Sequence, residues 1–234
     1  MIELFDTVAK MTEDELYNYL AKEVRKFDYS EVLQHKKFLA VKGDIPILLI
    51  THLDTVFYDI TRHDMLICHD KEQGIFWSPD GLGADDRAGI TLILYLLQRT
   101  NLRPHLLFTK GEESGAAGAI AAIRKAKKFF DKICYIIELD RQGLDECVFY
   151  SCKNFQFQQY IIDYGFVLDY GTFTDISIIC PAWNIAGVNL SVGYYGEHSY
   201  QEMLFIHGWA KTYSKLIKML ETVDKNKVWK YKEK

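Results

Sequence analysis

No segment of the 234-residue chain approaches the roughly 18 uninterrupted apolar residues of a membrane-spanning helix, so a membrane protein is not expected. An excess of positive charge is also missing. Lys and Arg number 28 against 32 Asp and Glu, a formal net charge of −4, which argues against broad electrostatic binding of nucleic acid. The one locally basic stretch, DKNKVWKYKEK at the end, reads as a solvated, frayed tail. The five cysteines, Cys68, Cys134, Cys147, Cys152 and Cys180, are odd in number and lack the Cys-x-x-Cys spacing of a zinc knuckle or redox pair, and they read as reduced thiols. The start, MIELFDTVAKMTEDELYNYL, carries acidic residues and has neither the basic opening nor the apolar stretch of a secretory signal, so the cytoplasm is the expected compartment. Internal repeats, low-complexity tracts and linkers rich in Pro, Gly and Ser are absent, and 1–234 is expected to be one domain. What remains, 49% hydrophobic and 26% charged residues, is the composition of an ordinary soluble globular protein.

The periodicity is that of an α/β protein. Thr12 followed by Glu15 has the form of a capping box, and Leu16, Leu20 and Val24 recur at helical spacing, which predicts a first helix over 12–26. KKFLAVKG and IPILLITH read as a hairpin, and MLICH and GIFWS as a second pair of short strands. A buried helix DDRAGITLILYLLQRT, a strand PHLLFTK, a small-residue helix GAAGAIAAIRKA and a strand KICYIIEL then alternate as in a doubly wound sheet. Farther along, CVFYSC reads as a strand, FQFQQYIIDYG as a helix and IAGVNLS as a strand, with a last helix from near Ser199 past Leu216. The predicted class is three-layer α/β/α with a mixed, mostly parallel central sheet.

Chemistry-bearing residues fall where these strands end. In THLDTV, His52 and Asp54 are two apart on an extended chain and share a face. That suits an imidazole ligand held by a carboxylate that fixes its tautomer, although chance readily supplies such a triplet. SPDGLGADDRAG delivers Asp85 and Asp86 from a Gly-rich loop into a helix start. One Asp there is an ordinary cap, but two are costly without a cation, and a carboxylate bridging two divalent ions is one such arrangement. TKGEESGAAG sets Glu112 and Glu113 after a strand, at the crevice where open α/β sheets bind ligands. One can ligate an ion while the other accepts a proton from water, or both simply occupy a solvated helical turn. Asp140 closes the strand IIELD, and His198 precedes the last helix in YYGEHSYQEM. Together a His, a shared Asp, a Glu, an Asp and a second His supply N and O ligands for two zinc-like ions.

The ordered set HLD, GADDRAG, GEES, ELD and GEHS, over roughly 40–210, resembles the co-catalytic two-zinc exopeptidases, a superfamily of zinc aminopeptidases, tripeptidase T and related carboxypeptidases and deacylases. GADDRAG is nearest to the aminopeptidase and tripeptidase branches. The resemblance implies that His52 and Asp140 hold one ion, Glu113 and His198 the other, and that Asp85 bridges them. It implies further that Asp54 orients His52, that Glu112 is the general base and acid, and that the Asp85–Asp86 peptide is cis. The ions would be Zn²⁺, with Co²⁺ or Mn²⁺ tolerated by the same donors. Asp175, in GTFTDISIICPAW, is expected near the substrate, pairing with a peptide ammonium or bracing the metal loop, or else capping the segment after it. Tyr194 and Tyr195 are expected to face a developing oxyanion, or else to pack as loop aromatics.

The expected activity is removal of N-terminal residues from short peptides; an N-acyl amino acid deacylase or carboxypeptidase, and a non-catalytic metal-binding protein, are the rivals. A peptide is the expected partner, neither nucleic acid nor membrane is expected, and the oligomeric state is left open. Many members of the superfamily carry a lid or dimerisation domain between the last two ligands. The interval from Asp140 to His198 has no room for one, so the crevice is expected to be walled by loops near 55–65, 165–175 and 191–197.

Overall fold

The computed structural model describes residues 1–57 and 62–233. Two short helices come first, α1 (Ile2–Ala9) and α2 (Glu13–Glu23), and Thr12 caps the second as its sequence requires, with a Glu15 oxygen accepting from the Thr12 N–H at 2.9 Å. Three strands follow, β1 (Glu31–His35), β2 (Phe38–Lys42) and β3 (Ile45–His52), then β4 (Cys68–Asp70), β5 (Ile75–Trp77), α3 (Ala84–Arg99), β6 (Pro104–Thr109), α4 (Ala117–Lys125) and β7 (Tyr135–Arg141). The remainder comprises β8 (Glu146–Val148), α5 (Phe155–Ile162), β9 (Val167–Leu168), α6 (Asp175–Trp183), β10 (Gly187–Ser191), β11 (Tyr194–Tyr195), β12 (Met203–Phe205) and α7 (Ile206–Glu221).

The main sheet has the order β1-β2-β6-β3-β7-β10-β8-β9. Its centre, β6-β3-β7-β10, is parallel, while β2 runs against β6 and β8 against β10, so the sheet is mixed as expected. β3 and β6 are buried along their whole length. Helices cover both faces, which is why these strands read as continuous apolar runs. Leu49, Ile137 and Val188 pack on one side with Leu92, Leu96 and Trp209, whereas Leu48, Ile50 and Ile136 pack on the other with Ala119, Ala122 and Trp183. A small second sheet, β11-β12-β5-β4, lies beside it.

Several expectations are corrected. The hairpin is β1–β2, because β6 inserts between β2 and β3, and Gly43 admits it closely enough that a Cβ there would collide with the Arg103 carbonyl. The last helix starts at Ile206, since Met203–Phe205 is taken up by pairing with β5. The predicted first helix stops at Glu23 and continues only as a single tighter turn ending at Asp28, which has φ 62°. The basic tail is not frayed: Trp229 is 7% exposed, its N–H donates to the Cys134 carbonyl at 2.8 Å and its carbonyl accepts from Ala186 at 2.9 Å. Among the described residues no helix is long and apolar enough to cross a membrane.

Candidate metal centre

Parallel strands end at the same edge, so β3, β6 and β7 bring His52, the turn at 111–113 and Asp140 to one crevice. His52 is buried, with Nε2 2.9 Å from Asp85 Oδ1 and 3.5 Å from Asp140 Oδ1, and Nδ1 3.4 Å from Asp54 Oδ1. His198 Nε2 lies 3.3 Å from Asp85 Oδ2 and 3.0 Å from Glu113 Oε2. Asp85 thus turns one oxygen toward each imidazole, and the five residues singled out as ligands meet in one place. His52, Asp85 and Glu113 each offer a donor atom within 4.8 Å of the other two. The Asp85–Asp86 peptide is cis. Asp86 faces inward, its carboxylate accepting from the His52 N–H at 3.2 Å and the Gly89 N–H at 3.1 Å, which ties β3 to the start of α3.

The turn with Glu113, the end of β7 with Asp140 and the loop with Asp85 are each held by a partner from elsewhere in the chain. Asp54 does more than face His52: Oδ1 accepts from the N–H groups of Gly111 at 2.9 Å and Glu112 at 3.1 Å, and Oδ2 from Glu113 at 3.0 Å. It therefore fixes the turn that carries both glutamates. Asp140 is clamped through its backbone by the Asn189 amide at 2.9 and 2.8 Å, and its carboxylate accepts from Tyr194 at 3.1 Å and Thr174 at 3.0 Å. Glu202, absent from the sequence-derived set, accepts from the N–H groups of Gly83 at 2.6 Å, Ala84 at 3.1 Å and Asp85 at 2.9 Å. Nothing local in YQEM announces this role, since all three donors lie well over a hundred residues away.

Asp175 takes the bracing role among its expected alternatives, and of the two tyrosines Tyr195 faces away. Asp175 is fully buried and accepts from the Thr109 hydroxyl, so it braces the end of β6 and does not reach the crevice. On β11 the alternation of the strand sends Tyr194 inward to Asp140 and Tyr195 outward, its ring centroid 5.5 Å from that of Phe205. Of the pair, Tyr194 touches the site. Glu112 lines a crevice of about 170 Å³ with Asp85, Asp140, Arg141, Tyr194 and His198. Residues 171–173, Glu197 and His198 wall it, whereas 58–61 of the expected 55–65 wall lie outside the described residues.

The protonation pattern tests whether cations belong here. Burial drives up the Glu112 carboxyl to about 8, with Asp140, Asp175 and Asp85 adding to the rise and His52 opposing it. Burial and the Asp85 charge push Asp140 to about 7. Burial works against a charged His52, yet Asp140, Asp54 and Asp85 hold it well above the usual imidazole range. The hydrogen bond to Asp85 raises His198 to about 9. Asp54, half-buried, is drawn down to about 2 by His52 and the backbone donors against the effect of burial. Without a cation, then, Glu112, Glu113 and Asp140 are biased toward keeping protons, while Asp54 and Asp85 are held ionised by the two imidazoles. Glu113 also keeps a buried oxygen, Oε1, with no partner among the described residues. Two imidazole nitrogens and three carboxylates in this state form a donor set that fits divalent cations of the zinc type.

No protein-family profile matches the chain, and no curated protein is matched. Its backbone, in contrast, matches solved peptidase structures. Aminopeptidase PepT from Bacillus cereus aligns with TM-score 0.75 and 16% identity over 94% of this chain and 97% of that one. A tripeptidase from Staphylococcus aureus aligns with TM-score 0.75 and 14% identity over 94% and 96%. A TET aminopeptidase from a marine sediment Thaumarchaeota archaeon gives TM-score 0.72 and 14% identity over 97% of both chains. At these identities the likeness is one of fold: the chain has the α/β fold seen in these aminopeptidase and tripeptidase structures.

Proposed function

We propose that the protein is a metal-dependent exopeptidase, specifically an aminopeptidase that releases N-terminal residues from short peptides. The observation that carries the reading is the Asp85 carboxylate set between His52 and His198, with Glu112 facing the same crevice outside that trio. His52 and Asp140 are assigned to one divalent ion, Glu113 and His198 to the other, and Asp85 to both, with Zn²⁺ the first choice and Co²⁺ or Mn²⁺ compatible with the same donors. Bound there, such ions supply Lewis acidity to a scissile carbonyl and acidify a water.

The chain's own residues do the rest. Glu112 takes the proton of the attacking water and returns it to the leaving amine. Asp54 keeps Glu112 and Glu113 in register through three backbone bonds while it faces the His52 Nδ1. Tyr194 positions Asp140 through its hydroxyl. Outside the proposed ligands the crevice carries Glu112 and Glu197 beside Arg141, and an entering free amine would pair with the two carboxylates.

Zinc-loaded protein assayed on a length series of free and N-acetylated peptides tests the reading. Free peptides should be cleaved, with acetylation lowering kcat/KM by about tenfold or more, because the crevice loses its charged partner. Equal cleavage of both forms would transfer the assignment to an N-acyl amino acid deacylase or carboxypeptidase.

A further inference from the structure

The proposed ligands and Glu112 leave one basic side chain of the metal crevice without a role. Arg141 follows Asp140 at the end of β7, and of the residues that line the crevice it is the only Lys or Arg. Its side chain is 21% exposed. Nη2 donates to Asp169 Oδ2 at 2.6 Å and to the Tyr170 carbonyl at 3.3 Å. These acceptors immediately precede Gly171, Thr172 and Phe173, which wall the crevice, so the guanidinium is anchored at that wall. Gly171 lies close against Tyr150, where a Cβ would stand 3.0 Å from the ring. Tyr150 and Tyr194, both on the crevice wall, stand within electrostatic range of the guanidinium. Each is also linked to Asp140: Tyr194 donates to its carboxylate at 3.1 Å, and Tyr150 accepts at 3.1 Å from the Asn189 amide that donates to the Asp140 carbonyl. The ion pair with Asp169 occupies one nitrogen. Nη1 makes no hydrogen bond among the described residues and, unlike Nε, is not fully buried.

We propose that Arg141 receives the free C-terminal carboxylate of a very short peptide, which makes an unblocked dipeptide the preferred substrate. The inference rests on the peptidase reading of the same crevice. Asp85, Asp140 and His198 are assigned to the divalent ions; outside them the lining has two acidic groups, Glu112 and Glu197, and one basic group, Arg141. Such a lining does not suit a plain anion. It suits a zwitterion, whose ammonium pairs with the carboxylates while its carboxylate pairs with Nη1. Charge-assisted N–H···O bonds of this kind are the strong ones, and a guanidinium already held by Asp169 loses little freedom on making another.

Size points the same way. At about 170 Å³ the crevice is well below the roughly 300 Å³ at which pockets for drug-sized ligands begin, so it encloses only a small substrate. Arg141 is also the residue next to a proposed ligand, and one residue of extended chain spans about 3.5 Å, so only a short stretch of substrate separates a carbonyl at the ions from a carboxylate at the guanidinium.

The test compares a dipeptide with its C-terminal amide on the full, zinc-loaded chain. Amidation should lower kcat/KM at least about tenfold, mainly through KM, because it removes the charged acceptor. Arg141→Gln should lower kcat/KM for the free dipeptide by a similar factor and bring the two substrates within about threefold of each other. A side chain that only braced 169–173 would depress both substrates alike, and that result would overturn the proposal. Should Arg141→Gln fail to fold, Arg141→Lys keeps the charge without the planar fork and should retain only part of the preference for the free dipeptide; an undiminished preference in Arg141→Lys counts against the contact. Calorimetric binding to zinc-loaded Glu112→Gln protein separates this inference from the peptidase reading. The free dipeptide should bind about tenfold more tightly than its amide there, whether or not the wild-type protein cleaves either. Equal binding and equal cleavage of the two forms would overturn the carboxylate contact and leave the aminopeptidase reading standing. A binding difference without any cleavage would keep the contact and remove that reading.

Discussion

Glu202→Gln perturbs the frame of the metal centre without touching a proposed ligand. The wild-type side chain, 1% exposed, divides its two oxygens among three backbone donors, Oε2 serving Gly83 and Ala84 and Oε1 serving Asp85. Glutamine keeps one acceptor. If its oxygen stays on Gly83 and Ala84, its NH₂ faces the Asp85 N–H, donor against donor, and one buried N–H loses its partner at a cost of about 1–3 kcal/mol. For a chain of this size that corresponds to a fall in Tm of about 2–10 °C. The comparison belongs at about pH 9, because burial and the Asp85 charge push the Glu202 carboxyl up to about 8 and the ionised acceptor must be the reference state. Asp85 is the one ligand assigned to both ions, so loosening its backbone should weaken zinc binding at both, by about tenfold or more. Thermal unfolding in chelator reads the first effect and calorimetric zinc titration the second. A Glu202→Gln protein with unchanged Tm and unchanged zinc affinity would refute the role assigned to the three backbone bonds.

Three further outcomes are expected. Elemental analysis of zinc-saturated protein should give two ions per chain, with His52→Ala and His198→Ala each removing mainly one; wild-type saturation at one or none rejects the two-ion site. Glu112→Gln should retain zinc and fold while turnover falls by roughly two to four orders of magnitude, and near-normal turnover in the metal-replete variant would move the base elsewhere. Without metal, the carboxyls of Asp140, Glu112 and Glu202 sit at about 7, 8 and 8, above their unfolded values of about 4, so the folded state binds more protons across that interval. Stability in chelator should therefore be greatest near about pH 4–5 and decline as the pH rises to about 9, the raised His198 acting in the same sense, and zinc should remove the decline; a Tm in chelator that is flat over this range contradicts the assignment.

The central strands and the residues at their ends were legible because both depend on local patterns. Two-sided burial turns β3, β6 and β7 into unbroken apolar runs, and the residue types at which each run stops are visible in the chain itself. Strand partnership is different. That β6 enters between β2 and β3 is decided by packing across more than fifty residues, and the Lys36–Lys37 turn that closes the true hairpin has no Gly, Asn or Pro to signal it. Tyr194 and Tyr195 were indistinguishable from sequence because the choice rests on the parity of a two-residue strand, which only its pairing with β12 sets. The position of Asp175 after a loop is apparent in the chain, whereas the burial beneath β6 that selects bracing among its alternatives is a tertiary fact.

The groups that hold the site together bear on how it should behave without metal. Asp54 joins β3 to the turn after β6, Asp86 joins α3 to β3, Asn189 joins β7 to β10, and Glu202 joins the segment after β11 to the loop before α3. All four act on backbone N–H groups, so none of these ties needs a cation to form. His52, Asp85, Glu113 and Asp140, four of the proposed ligands, are consequently gathered by the fold, and what remains unfavourable is the repulsion among the carboxylates once they ionise. A bound divalent ion therefore has little conformational entropy to overcome and a large electrostatic cost to relieve, and metal affinity should depend steeply on pH while backbone order at the site depends on it weakly.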